Sequence, residues 1–298
     1  MIFRKILGSI AIAGICATAA AQDRIVIEPL FEYPTAPDTM DGLQERSEYL
    51  LEHFWDNMDF KKRTTVDQNA LNDAFSVYVA PMRFADAVKV DESIQKLLSE
   101  ISKNPALSLQ FAKAAEEALY GPRAYYWNDE IFIRFIDNVL NNKSVKKERK
   151  LRYQRLKTQL TNTLQGSVPP EFDYTTPDGK KSHYHPNGVI TVIEFGDPDC
   201  DDCRHAKLKM DTNISLSSLV DKGKVNILFI YVDPEEGWED KLKDYPAKWY
   251  VGASDEVSDL YDLRDTPSIY VIDREGHVAA KNIDVDTAIT IATAAAMQ

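Results

Sequence analysis

Two cysteines three positions apart, Cys200 and Cys203, are the residues of this chain best suited to chemistry. A thiolate is a nucleophile. At this spacing one cysteine can attack a disulfide, and its neighbour can resolve the mixed disulfide that forms. The sequence has three cysteines, and the third, Cys16, lies in an N-terminal segment that reads as removed. Two cysteines placed at random in the remainder would fall at this spacing only about 1% of the time. A structural staple explains the pair less well, because a disulfide stabilises by closing a loop and a two-residue loop closes little. The expectation is a redox-active Cys200–Cys203 disulfide with no other cofactor.

The elements needed to position this pair lie on either side of it. Val189 to Phe195 is an apolar run broken by one acid, Glu194, and reads as a buried strand. Cys200 follows a short loop. Cys203 falls in the first turn of a helix continued by Ala206, Leu208 and Met210. A helix N-terminus offers unpaired N–H groups and the positive end of the macrodipole, both of which favour thiolate. Asp197, Asp199, Asp201 and Asp202 oppose it, against Arg204 and His205, so a weakly activated nucleophile is expected. Val225 to Val232 reads as a second core strand. Ser268 to Ile272 and His277 to Ala280 flank the turn Asp273-Arg-Glu-Gly276. Helical patterns fall at about 200–221, 238–245, 254–262 and 285–297. The order is βαβ followed by αββα, a mixed sheet with helices on both faces. Trp238, Trp249 and Tyr250 read as core or cover residues ahead of groove residues.

The first half reads as all-helical. Leu43, Leu50, Leu51, Phe54, Trp55 and Met58 share one helical face, and further patterns follow near 67–80, 91–103, 106–119, 129–141 and 145–164. Asp91 reads as a start signal and Gly121-Pro122 as a stop. The last helix is basic, with Lys146, Lys147, Arg149, Lys150, Arg152, Arg155 and Lys157. A solvated face is the preferred reading over a docking stripe. Composition shifts near Gly166, and Asp178-Gly179 signals a turn. These observations predict a signal peptide at 1–21, an all-α domain at 22–165 and a mixed α/β domain at 166–298.

The N-terminus carries Arg4 and Lys5, then the uncharged stretch Ile6 to Ala17, then Ala19-Ala20-Ala21 before Gln22. That pattern predicts a secretory signal peptide and an exported protein, periplasmic or in the cell envelope. Lipidation at Cys16 is less favoured, since Ile15 stands where a small residue is usual. No apolar run is long enough for a bilayer span, so an integral membrane protein is not expected. A net charge of −12 argues against nucleic-acid binding, which needs a basic footprint.

Strand, Cys200-x-x-Cys203, helix, and Thr266-Pro267 before a strand together resemble the thioredoxin fold, and more narrowly its exported TlpA/ResA-like branch. Gly166-x-x-Pro-Pro-Glu-Phe172 resembles that branch's entry motif. Tyr261-x5-Pro267-x-Ile-Tyr-Val-Ile-Asp273-x-x-Gly276 resembles its second half. The helical half resembles a domain of unknown function that precedes such modules. The resemblance implies a thiol–disulfide oxidoreductase acting on protein disulfides, fed by a membrane thiol electron donor. It implies a cis Thr266–Pro267 bond packed on the dithiol. It also places Glu194 where the family keeps a buried acid that accepts the resolving thiol's proton. The sequence departs from the family at Asp199, where an aromatic is usual, at Leu208, where a proline is frequent, and at the intervening pair Asp201-Asp202. These departures point to a reductase or isomerase rather than a disulfide donor. Two rivals stay open. One is a metal site built from the acids, the cysteines, His205, His183-Tyr-His185 or His277, disfavoured because one Cys-x-x-Cys does not close a zinc site. The other is a scaffold that keeps the fold with weak or no activity. A peroxidase fits less well, since it needs one peroxidatic cysteine rather than a dithiol.

Overall fold

The computed structural model describes residues 28–61, 65–122, 124 and 126–297. The expected signal peptide at 1–21, with Cys16, lies outside the described residues.

Six α-helices precede the first strand among the described residues: α1 Leu43–His53, α2 Gln68–Val79, α3 Ala87–Ile101, α4 Pro105–Leu119, α5 Asp129–Asn141 and α6 Lys147–Asn162. Four of the six starts follow short polar caps. Asp67, Asp86, Asn104 and Asn128 each accept a backbone N–H of the first turn. Asp86, not Asp91, caps α3, so that helix begins earlier than its apolar pattern suggests. Asp91 sits inside it and pairs with Arg134 at 2.7 Å. The core is aromatic, with Trp55 edge-on to Tyr78 and to Phe111 at 5.2 Å each and Phe75 edge-on to Phe135 at 5.1 Å. Several of the basic residues of α6 are held internally: Arg152 by Glu116, Lys157 by Asp137 and Arg155 by Asp259.

The second half is one mixed sheet with flanking helices. Its elements are β1 Phe172–Thr175, β2 Lys181–Tyr184, β3 Ile190–Gly196, α7 Asp201–Thr212, α8 Ile214–Asp221, β4 Val225–Val232, α9 Trp238–Lys241, β5 Tyr250–Ser254, α10 Val257–Leu260, β6 Ser268–Ile272, β7 Val278–Lys281 and α11 Val285–Ala296. Strand order is β2-β1-β5-β4-β3-β6-β7. The β3–β4 and β4–β5 pairs are parallel, while β6 runs antiparallel to β3. β3 therefore has a partner on each edge and is buried throughout, which is why it reads as an unbroken apolar run. Ile190 and Val192 pack into the layer containing α7, α8 and α11, and Ile193 and Phe195 pack into the opposite layer. Strand alternation puts Glu194 on the α7 side.

Three short strands, β1, β2 and β5, have no counterpart in the sequence reading. The predicted helices at 238–245 and 254–262 shrink to the single turns of α9 and α10, and Tyr250–Ser254 between them joins the sheet. The predicted 200–221 helix is two helices, broken where Asn213 leaves helical geometry and caps α8 through Leu216 N–H. Trp249 is buried, Trp238 half-buried and Tyr250 exposed.

The two units meet through a buried ion cluster. Arg264 pairs with Asp262 and, at 2.7 Å, with Asp129 at the start of α5. Lys281 lies 2.6 Å from Asp129 and 2.9 Å from Asp262. Tyr120, just past α4, donates its hydroxyl to Asp262 at 3.0 Å. The Asp262 and Arg264 side chains are 0% and 2% exposed. Burial pushes the Asp262 carboxyl up, but Lys281 and Arg264 more than reverse this and hold it below the usual carboxylate range. Gln159 of α6 donates to Ser258 O at 2.6 Å beside this cluster.

Candidate active site

Cys200 is the N-cap of α7, in extended geometry, with Arg204 N–H bonding its carbonyl at 3.0 Å. The loop before it is tied by Cys200 N–H to Asp197 O at 3.0 Å and Asp199 N–H to Asp197 Oδ1 at 2.8 Å. The Cys200 thiol is half-buried, while Cys203, one turn into α7, is fully buried. Both are thiols, the reduced form of the pair, and they are hydrogen-bonded to each other. Burial pushes the Cys203 thiol well above its ordinary range. Asp197's backbone pulls against this, while Cys200 and Glu194 add to it. The outer sulfur is thus the more accessible of the two, and the inner one is held protonated.

Thr266–Pro267 is a cis peptide, and Cys200 Sγ lies 3.9 Å from Thr266 O. Glu194 lies in the middle of the sheet, not at an edge, between Phe229 of β4 and Ile269 of β6. It is 0% exposed and neither carboxylate oxygen has a hydrogen-bond partner. Burial raises its pKa to about 8, and Lys207 of α7 opposes the rise. Lys207 Nζ sits 4.1 Å from the centre of the Tyr245 ring, on the same side of the sheet as the inner thiol. A carboxyl titrating near 8 beside a buried thiol can exchange a proton with it near neutral pH.

Four participants escape sequence reasoning. Lys241 of α9 pairs with Asp199 at 2.6 Å, and Arg204 pairs with Asp201, so two of the four acids around the dithiol are locally countered. A sequence count sees Arg204 but has no way to bring Lys241 in. Gly196 ends β3 where a Cβ would stand 2.8 Å from Cys203 Sγ, so the inner sulfur occupies the space a side chain would take. Finally, Tyr120 and Gln159 of the helical half border a cleft of about 510 Å³ that opens at Cys200. The His183 ring, on the edge strand β2, is engaged by Glu171 and Asp173 and is not brought to the cysteines.

A family model described as a domain of unknown function (DUF5106) matches residues 13–162, and that match stops where α6 stops. No curated protein matches the chain. A thioredoxin-like protein from Bacteroides caccae ATCC 43185 is similar in structure over 90% of this chain and 99% of that one, at 20% identity and a TM-score of 0.74. A conserved protein of unknown function from Bacteroides fragilis is 28% identical over 43% of this chain and 98% of that one, with a TM-score of 0.41. The thioredoxin domain of a thiol-disulfide oxidoreductase from Bacteroides vulgatus is 22% identical over 43% of this chain and 94% of that one, with a TM-score of 0.37. The second half of the chain has the thioredoxin-like fold, and the full-length likeness extends that fold together with the helical unit.

Proposed function

The chain belongs to the DUF5106 family, and from that premise we propose that it is an exported thiol–disulfide oxidoreductase of reductase or isomerase type, acting on protein disulfides through Cys200 and Cys203. The observation that carries this reading is the division of labour between the two sulfurs. Cys200 is half-exposed at a helix N-terminus on a cleft, and Cys203 is buried behind it beside an acid titrating near 8.

The steps follow from that geometry. Cys200, as thiolate, attacks one sulfur of a substrate disulfide. The substrate S–S bond breaks, its second sulfur leaves as thiolate and takes a proton, and a mixed disulfide joins Cys200 to the substrate. Cys203 then gives its proton to ionised Glu194 and attacks Cys200 Sγ, releasing the second substrate thiolate. The substrate gains two electrons and two protons, and the protein is left with a Cys200–Cys203 disulfide. Turnover as a reductase needs an external dithiol, for which an exported or membrane thiol carrier is the proposed class. As an isomerase, the substrate's own thiol resolves the mixed disulfide instead. Export rests on the pattern of residues 1–21, and no described helix is long and apolar enough to cross a membrane.

Reduction of insulin by dithiothreitol, followed by turbidity, tests the reading. Wild type is expected to accelerate it and Cys200→Ser to abolish the acceleration. Equal behaviour of the two proteins would leave the scaffold reading in its place.

A further inference from the structure

The cleft at Cys200 is not made by the thioredoxin-like unit alone. Its volume is about 510 Å³, within the range of clefts that hold a ligand of several hundred daltons or a few residues of polypeptide. Phe195, Tyr231 and Leu263 give it apolar surface, while Tyr120 and Gln159 bring the helical unit to its border. That border is fixed. Tyr120 is held by Asp262 inside the buried ion cluster, and Gln159 by Ser258 O. Breaking such a cluster leaves a buried charge uncompensated, so the two units are not free to part at this point.

The charge of the cleft has one sign. Among the described residues, Asp197, Asp233, Glu235 and Asp265 line it and no lysine, arginine or histidine does; Arg155, which donates to Ser258 O at 3.3 Å on the helical side, is paired with Asp259. Lys241, the cation close to Glu235 at 3.6 Å, is already committed to Asp199 at 2.6 Å. A cleft walled by low-dielectric protein and lined by one sign of charge focuses its field, raising the local concentration of oppositely charged partners.

We propose that this cleft is the substrate site, that it selects polypeptide disulfides flanked by lysine or arginine, and that the helical unit supplies one wall of it. The inference rests on the redox reading above. The apolar surface takes the half-cystine and its neighbours, and the carboxylates take the flanking cation. The helical half thereby becomes a specificity element, which gives the DUF5106 portion a role in the chemistry of its neighbour.

The test uses the reduced full-length protein and three probes: a short peptide disulfide flanked by lysines, the same peptide flanked by glutamates, and neutral bis(2-hydroxyethyl) disulfide. At low ionic strength the lysine peptide is expected to react at least tenfold faster than the glutamate peptide. The ratio should shrink severalfold in 0.5 M salt, because screening weakens charge steering. Gln159→Lys, with folding checked by circular dichroism, puts a cation on the helical wall and is expected to cut the ratio severalfold. Equal wild-type rates for the two peptides, with the neutral disulfide reduced, overturn the cleft inference and leave the redox reading standing. A ratio unchanged in Gln159→Lys overturns the part given to the helical unit. No reduction of any probe overturns the redox reading and this inference with it.

Discussion

Glu194→Gln isolates the buried acid beneath the dithiol. Wild-type Glu194 titrates near 8 in the folded protein, against an ordinary value of 4.5. The folded state therefore holds its proton more tightly than the unfolded state. A raised pKa contributes stability that is complete below the unfolded value and is lost as pH rises through the folded one. At about 1.4 kcal/mol for each pH unit between 4.5 and about 8, the loss reaches about 5 kcal/mol at most. Glutamine has nearly the same shape and no charge, so this dependence should vanish in the variant. Urea melts of both proteins in the dithiol form at pH 5.5, 6.5, 7.5 and 8.5 read it directly. The variant is expected to gain on wild type by about 1 kcal/mol for each pH unit up to about pH 8 and then level off. An unfolding difference independent of pH would refute the argument that burial has raised this carboxyl. The same variant should slow resolution of a mixed disulfide on Cys200, since Cys203 loses its proton acceptor.

Other expectations follow from individual contacts. Gly196→Ala would drive a methyl into Cys203 Sγ, so it should cost about 1–3 kcal/mol in a urea melt and prolong the mixed disulfide observed by quenched mass spectrometry. Asp262→Asn leaves Arg264 and Lys281 to share the one carboxylate of Asp129 and should lower unfolding stability by about 3 kcal/mol. The wild-type Asp262 carboxyl is held below its usual range, so its contribution is present above about pH 4 and disappears as the medium is acidified through its folded pKa. An acid titration monitored by fluorescence should show wild type losing stability over that interval and Asp262→Asn losing less.

What sequence could supply, and what it could not, divides along local and non-local physics. β3, β4 and the β6–β7 hairpin are legible because each is a continuous apolar run or is joined by a turn residue such as Gly276, whose φ is +85°. The Cys200–Cys203 spacing at a helix start is equally local. β1 and β2 are four residues each and bury only Phe172, Tyr174 and Tyr184 between them, so too few inward positions repeat to form a pattern. β5 reads Tyr-Val-Gly-Ala-Ser, and its glycine is there because a Cβ at Gly252 would collide with the Thr175 backbone of β1, a partner 77 positions away. Lys241 beside Asp199 and Tyr120 on Asp262 depend on chain reversals that no window of sequence contains, and the bare face of Gly196 under Cys203, though only seven positions away, depends on how α7 folds back against the end of β3. Asp86 caps α3 although Asp91 lies closer to the helix's apolar positions, so the apolar pattern alone places the start too late.

In the proposed mechanism Cys200 attacks and Cys203 resolves. Intact-mass analysis of Cys203→Ser after brief exposure to a disulfide-bonded protein substrate tests it most directly. A stable adduct of one substrate chain on Cys200, reversed by dithiothreitol, is expected, and no such adduct on Cys200→Ser. Adducts forming equally on both variants, or on neither, would contradict it.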